Sequence, residues 1–181
     1  MGDLGKTFNL ETVSHLQKEL AVANLMAVPR IVKIVLNMGL AEALTNKDTL
    51  EKAMEQLAAI SGQKPKFTKA KKSISSFKLR EGDKIGAMVT LRGQKAWHFL
   101  EKLIAIVSPR IRDFRGVDDS KFDRLGNYSL GIAEQIIFPE VNYAQVDKIR
   151  GMVITIVFKN SNPEKSKRLL ELIGLPFKKN Q

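Results

Sequence analysis

Apolar residues recur along the chain with two periods, and the switches between them divide it into elements. Over residues 9 to 26, Leu10, Val13, Leu16, Leu20 and Ala23 stand three or four apart and predict one helix stripe, ended by Pro29. From residue 30 to 38 the period becomes two. Val32, Ile34, Leu36 and Met38 form one apolar face, and Ile31, Lys33, Val35 and Asn37 form the other. One side of this strand can pack a core while the other offers an amine and an amide. A second helix, capped at Thr45 or Asn46, lines up Leu50, Ala53, Met54, Leu57, Ala58 and Ile60 and stops at Gly62.

A strand over residues 66 to 72, an exposed loop over 73 to 80 and a return strand over 85 to 92 are expected next, bracketed by Pro65 and the pair Gly82-Asp83. In the return strand Ile85, Ala87, Val89 and Leu91 face one way, while Gly86, Met88, Thr90 and Arg92 face the other. If the strands share a sheet, Lys33, Asn37, Thr90 and Arg92 can line one surface. Residues 94 to 107 predict a helix burying Ala96, Trp97, Leu100, Leu103, Ile104 and Val107, closed by Ser108-Pro109. Residues 130 to 138 and 152 to 158 read as strands. A last helix opens at Asn162-Pro163, carries Leu169, Leu170 and Ile173, and ends at Gly174 and Pro176. The order of elements predicts an α+β fold: one domain spanning residues 1–181, with a mainly antiparallel sheet backed by helices on one face and open on the other.

Charge changes the picture in one place. Between Gln63 and Arg80 lie Lys64, Lys66, Lys69, Lys71, Lys72, Lys78 and Arg80 with no acid among them, in a chain of 181 residues whose net charge is +11. So dense a positive field fits nucleic acid. A solvated basic loop is the plainer reading, but Phe67, Ile74, Phe77 and Leu79 interrupt the run, which a purely solvating tail would avoid. Residues 109 to 128 mix Arg110, Arg112, Arg115 and Arg124 with Asp113, Asp118, Asp119 and Asp123. That pattern suits a protein-facing surface, and an ordinary self-paired surface equally well.

Catalytic signals are missing. Cysteine is absent, which removes disulfides, thiolate metal sites and cysteine nucleophiles. No phosphate loop, dinucleotide fingerprint or esterase elbow is present, and His15 and His98 fall on separate predicted helices. The three Asp residues at 118, 119 and 123 lack the spacing of a calcium loop. No cofactor or metal is therefore expected. With few aromatics on the polar face, backbone contact and shape would carry the affinity, helped by Asn37, Gln63 and Thr90, and folded RNA fits better than duplex DNA. A basic enzyme acting on RNA and a protein-interaction module remain as alternatives; metal-dependent RNA turnover would favour the first, weak sequence-blind RNA binding the second.

Six strings, VPRIVKIVLNMG (28 to 39), AAISGQKP (58 to 65), VTLRG (89 to 93), PRIRDFRG (109 to 116), GNYSLGIAEQIIFPE (126 to 140) and LPFKK (175 to 179), resemble in order and spacing the bacterial L-five family of large-subunit ribosomal proteins. The resemblance implies a cytoplasmic, ribosome-bound protein, with no membrane partner, that anchors 5S rRNA in the central protuberance beside neighbouring proteins there. It puts 5S contacts on Asn37, Gln63, Thr90 and Arg92, to which Lys33 is added by its place on the polar strand face. Lys71, Lys72, Ser73, Ser75, Ser76, Lys78 and Arg80 fall in a loop resembling the family's projection toward the peptidyl-site tRNA. Arg110, Arg112, Asp113 and Arg115, with part of residues 134 to 150, resemble its surface for large-subunit rRNA and a protein of the small-subunit head, an intersubunit bridge.

Overall fold

The period-two segments form the strands of one sheet. In the computed structural model, which describes residues 13–20, 24–40, 42, 47–112, 114–143 and 146–178, the strands are β1 (Arg30–Gly39), β2 (Lys66–Lys69), β3 (Lys84–Leu91), β4 (Tyr128–Ile132) and β5 (Met152–Lys159). Their order in the antiparallel sheet is β2-β3-β1-β5-β4. The helices are α1 (Val13–Glu19), α2 (Lys47–Ser61), α3 (Gln94–Lys102) and α4 (Pro163–Ile173). Contacts divide the chain into two compact units. One holds the described residues of Met1–Ile34, Arg92–Leu130 and Thr155–Gln181; the other holds those of Val35–Leu91 and Gly131–Ile154.

In the second unit α2 packs on β3. Leu50, Ala53, Leu57 and Ile60 recur at helical spacing and are buried, as are Leu36, Met38, Ala87, Val89 and Leu91 from the strands. Each such leucine contributes about 1.5–3 kcal/mol by leaving water. The helix stops where glycine permits it: Gly62 has φ +62°, and its N–H closes on Ala58 O at 2.8 Å.

The first unit is built around Leu16, Leu100, Leu103, Val107, Tyr128, Leu169 and Leu170, all buried. Asn162 caps α4 by accepting from Lys165 N at 2.8 Å, Pro163 fills the first turn, and Gly174 ends the helix at φ +98°. Near the C-terminus, Val117 N donates to Pro176 O (2.8 Å) and Lys178 N to Val117 O (3.0 Å). Phe177 joins Phe122 and Tyr128 in an aromatic cluster with centroids 4.7–6.0 Å apart. Burial, followed by Asp118 and Asp119 nearby, pushes the Tyr128 phenol up to about 12.

Four expectations need correction. The N-terminal helix does not run to residue 26: it ends at Glu19, and Leu25–Ala27 is a separate 3-10 turn. There the Asn24 side chain accepts from Met26 N at 2.8 Å, an alternative to helical pairing. Residues 9–12 and 21–23 and the proposed caps Thr45 and Asn46 lie outside the described residues.

The helix from Gln94 does not close at Pro109. It passes through a π-helical stretch, Leu103–Val107, and a last turn, Ser108–Arg110. Proline removes a helical donor. The wider turn is fixed at Leu103, whose carbonyl accepts both the Ser108 N–H and, at 2.8 Å, the Ser108 Oγ.

β2 ends at Lys69 instead of 72: its register with β3 shifts between Thr68 and Lys69, and the pairing then passes into a turn in which Ala70 N donates to Asp83 O at 2.8 Å and Gly82 N to Ala70 O at 3.0 Å. The strand expected over 130 to 138 is β4, Tyr128–Ile132, followed by a 3-10 turn at Gln135–Ile137. There the fully buried Gln135 supplies the pairing a strand would have given. Its N–H and Oε1 bond Arg150 O and N, and its Nε2 donates to Lys148 O at 2.7 Å. Replacing Gln135 by Leu should lower stability by roughly 2–4 kcal/mol, because buried backbone groups lose their partners. Urea unfolding would show the loss as a lower midpoint with an unchanged slope.

Candidate nucleic-acid interface

Alternation along β1 leaves Val35 and Asn37 opposite the buried Leu36 and Met38, and along β3 it leaves Met88 and Thr90 opposite Ala87, Val89 and Leu91. The second unit therefore presents Asn37 and Thr90 on the sheet face away from α2, as the alternation predicts. Asn37 is exposed and Thr90 half-buried. Gln63 joins them through geometry: its Nε2 donates to the Thr90 carbonyl at 3.1 Å. The pairing of β2 with β3 ends at Lys66 and Met88, so the Thr90 carbonyl lies beyond the edge strand and a side-chain amide satisfies it instead.

Lys66 and Thr68 belong to the same face and are absent from the predicted 5S set. Lys66 pairs with Met88 and Thr68 with Gly86, and cross-strand partners share a side. No local signal in the sequence could have placed them, because the register depends on the far strand. Gly86 is the residue that lets this corner close. A Cβ there would lie 2.5 Å from Met38 O and 2.8 Å from Thr68 Oγ1. Gly86→Ala is expected to cost about 1–3 kcal/mol through forced separation of β1 and β3.

Lys33 and Arg92 fall in the first unit. Lys33 is half-buried on β1, two alternations before Asn37, and Arg92 is exposed immediately after β3.

The cationic segment is a tight hairpin. Ile74 and Leu79 exchange backbone hydrogen bonds at 2.9 and 3.1 Å around a 3-10 turn at Ser75–Phe77, with Lys78 left-handed at φ +52°. Ser73 Oγ accepts from Glu81 N, and Asp83 accepts from Arg80 N at 2.8 Å. Lys71, Lys72, Ser73, Ser75, Ser76, Lys78 and Arg80 are all exposed. So are Ile74 and Phe77, the latter at 70%. Cations thus flank an apolar tip.

In residues 109 to 128 the acids are used internally. Asp118 accepts from Ser120 N, Asp119 pairs with Lys167 at 3.0 Å, and Asp123 accepts from Leu125 N, Asn127 N and Asn127 Nδ2. The backbone bond from Ser120 holds the Asp118 carboxyl below its ordinary range. Arg110, Arg112, Arg115 and Arg124 are exposed, so this surface faces solvent with the arginines outward; Asp113 lies outside the described residues.

The segment 134 to 150 is closed by a bidentate pair, Arg150 Nη1 and Nη2 on the two Asp147 oxygens at 2.8 Å. That hydrogen bonding, set against burial and aided by the Arg150 charge, brings Asp147 down to about 2. A depressed carboxyl stabilises the fold above its unfolded value, and the contribution disappears as pH falls through the folded value. Asp147→Asn should therefore lower the unfolding midpoint at pH 6. The gap from the parent should close between about pH 4 and pH 2, the window between the unfolded carboxyl and the value near 2. A gap constant with pH would remove Asp147 from the pair.

Among the described residues no group of three or more His, Asp or Glu could hold a metal, and no helix is long and apolar enough to cross a membrane.

Comparison with known proteins puts the chain among the structural, non-enzymatic proteins of the large subunit of the cytoplasmic ribosome. Residues 24–80 match the family model described as ribosomal protein L5, and residues 84–177 match the model for the C-terminus of the same ribosomal family. The chain belongs to the ribosomal protein L5 family. Among its relatives is the large ribosomal subunit protein uL5 of Geobacter sulfurreducens, 52% identical over 98% of this chain and 99% of that protein. The uL5 of Desulfatibacillum aliphaticivorans is 54% identical over 96% of this chain and 98% of its own.

Proposed function

We propose that the chain anchors 5S rRNA in the central protuberance, and that Asn37, Gln63 and Thr90 read the folded RNA from the open sheet face. The observation that carries this reading is that Asn37 and Thr90 lie on the strand face opposite the buried Leu36, Met38, Val89 and Leu91, with the Gln63 amide donating to the Thr90 carbonyl. Short polar groups of this kind reach ribose hydroxyls and base edges, and they do so without the aromatics a stacking platform needs. Lys66 and Thr68 extend the same face, Met88 gives it an adaptable apolar patch, and Lys33 and Arg92 of the first unit contribute phosphate contacts.

The hairpin carrying Lys71, Lys72, Lys78 and Arg80, with Ser73, Ser75 and Ser76 between them, is proposed to meet a second polyanion, the peptidyl-site tRNA. Its cations lower the electrostatic cost of bringing two RNAs together. Arg110, Arg112, Asp113 and Arg115, with part of residues 134 to 150, are proposed to form the surface for large-subunit rRNA and a protein of the small-subunit head, with other central-protuberance proteins alongside.

The reading is tested by titrating the protein with 5S rRNA and with a folded control RNA of equal length at several salt concentrations. Preference for 5S rRNA by about a thousandfold or more, the scale of specific recognition, supports the sheet face. Equal binding with a steep salt slope reduces the surface to an electrostatic patch. Replacing Lys71, Lys72 and Lys78 by Ala should leave 5S affinity within about threefold and its salt slope unchanged, because none of the three contacts that RNA. The same variant should weaken tRNA occupancy in reconstituted ribosomes; a collapse of 5S binding would move the hairpin into the primary interface.

A further inference from the structure

The arginine-bearing stretch of the first unit is held from the far end of the chain. Helix α4 stops at Gly174, where the N–H groups of Gly174 and Leu175 close on Glu171 O and Leu170 O, each at 2.9 Å. Leu175 is buried and fixes the direction in which the chain leaves the helix. The next residues pair with the arginine stretch in a parallel bridge between Val117 and Phe177. Both backbone groups of Val117 serve that pairing, the N–H bonding Pro176 O and the carbonyl Lys178 N.

Side chains and a glycine lock the same seam. Gly116 has φ +101°, and a Cβ there would lie 2.6 Å from the Phe177 carbonyl carbon and 2.7 Å from Lys178 N, so the two backbones meet where a side chain has no room. The Phe177 ring stacks on Phe122 at 6.0 Å, meets Tyr128 edge-on at 5.9 Å and has Lys167 Nζ 5.8 Å above it. Tyr128 Oη in turn donates to Asp118 O at 2.9 Å, and Lys167 pairs with Asp119. Chain ends are ordinarily poorly held. This one is tied to the base of a loop whose Arg112 and Arg115 are exposed.

We infer that residues 175 to 178 form a strap that sets Arg112 and Arg115 in their RNA-binding arrangement, with Phe177 as the positioning residue. The inference rests on the reading in which these arginines face large-subunit rRNA. Phe177 acts through Gly116 and Val117: a loop already held in its bound shape loses less freedom on binding, and that difference appears as affinity.

The experiment measures binding of the full chain to a large-subunit rRNA transcript at several salt concentrations. Arg112→Ala together with Arg115→Ala removes two phosphate contacts and should lower the salt slope by about two. Phe177→Ala changes no charge, yet it should lower the slope by about one and the affinity about tenfold, because arginines on a released loop no longer hold fixed phosphates. Phe177→Tyr, which keeps the ring, should bind as the parent does. Partial unfolding gives a different pattern, since it lowers the active fraction and leaves the slope of the folded remainder unchanged. In hydrogen exchange the Val117 amide of Phe177→Ala should exchange faster, while the Leu169 and Leu170 amides of α4 keep their protection. Gly116→Ala, which forces the loop off the strap from the other side, should reproduce the slope change and carries the test if the Phe177 variant does not fold. Parental slopes in both strap variants beside a lowered slope in the arginine variant would overturn the strap and leave the rRNA reading intact; an unchanged Val117 exchange rate would overturn it equally. A parental slope in the arginine variant would mean that this surface does not face rRNA, and the strap would fall with that reading.

Discussion

A protein carrying Asn37→Ala together with Thr90→Val is expected to bind 5S rRNA about a hundredfold more weakly, from two lost polar contacts of roughly 1–3 kcal/mol each. Neither residue is charged, so the slope of affinity against salt should not change. That distinguishes it from Lys33→Ala or Arg92→Ala, each of which removes a phosphate contact and should lower the slope by about one. Stability should barely move, because Asn37 is exposed and the Thr90 group engaged by Gln63 is the backbone carbonyl, which valine keeps. If the double variant retains parental affinity for 5S rRNA in filter binding or calorimetry, the sheet face is not the reading surface.

The largest loss of stability is expected from Gly126→Ala, at roughly 2–5 kcal/mol. Gly126 has φ +79°, and a Cβ there would lie 2.6 Å from the Asn162 carbonyl carbon and 2.7 Å from its oxygen. The left-handed backbone accounts for about 1–2 kcal/mol of the cost for any L-residue, and the collision with backbone that cannot turn aside adds about 1–3 kcal/mol. Gly62→Ala separates the two contributions. It shares the sign of φ at +62° but has nothing within 4 Å of the added carbon. It should therefore lose only about 1 kcal/mol. Chemical unfolding of both variants checks the difference, and equal losses would mean that the close approach to Asn162 relaxes without cost.

Much of the fold is legible from local pattern. The strand over residues 30 to 38, α2 with its glycine stop and α4 with its asparagine cap and proline start all follow from side-chain period and end chemistry, which act within a few residues. The same alternation marked Asn37 and Thr90 as companions on a polar face, the run of cations and its turn signals marked the projecting loop, and family likeness then named the RNA that each would meet. Where the reading failed, a distant partner made the decision. The turn at Leu25–Ala27 is capped locally by the Asn24 side chain, but β2 stopped at Lys69 where its shifted register with β3 gives way to a turn closed by Ala70, Gly82 and Asp83. The apolar run Ile136, Ile137, Phe138 looked like strand, and Gln135 made it a turn by reaching Lys148 and Arg150.

Composition and period by themselves determined that this is a basic α+β protein with one polar sheet face and a concentrated run of cations. Those properties depend on which residues are neighbours in the chain. Tertiary structure alone decided that Lys66 and Thr68 stand on that face, that Gln63 serves Thr90, and that Asp118, Asp119 and Asp123 are bonded within the chain while the arginines of the same stretch face solvent. Each of these depends on a pairing across many residues, set by how buried area and hydrogen bonds are shared between segments, and such pairings leave no periodic trace in either segment alone.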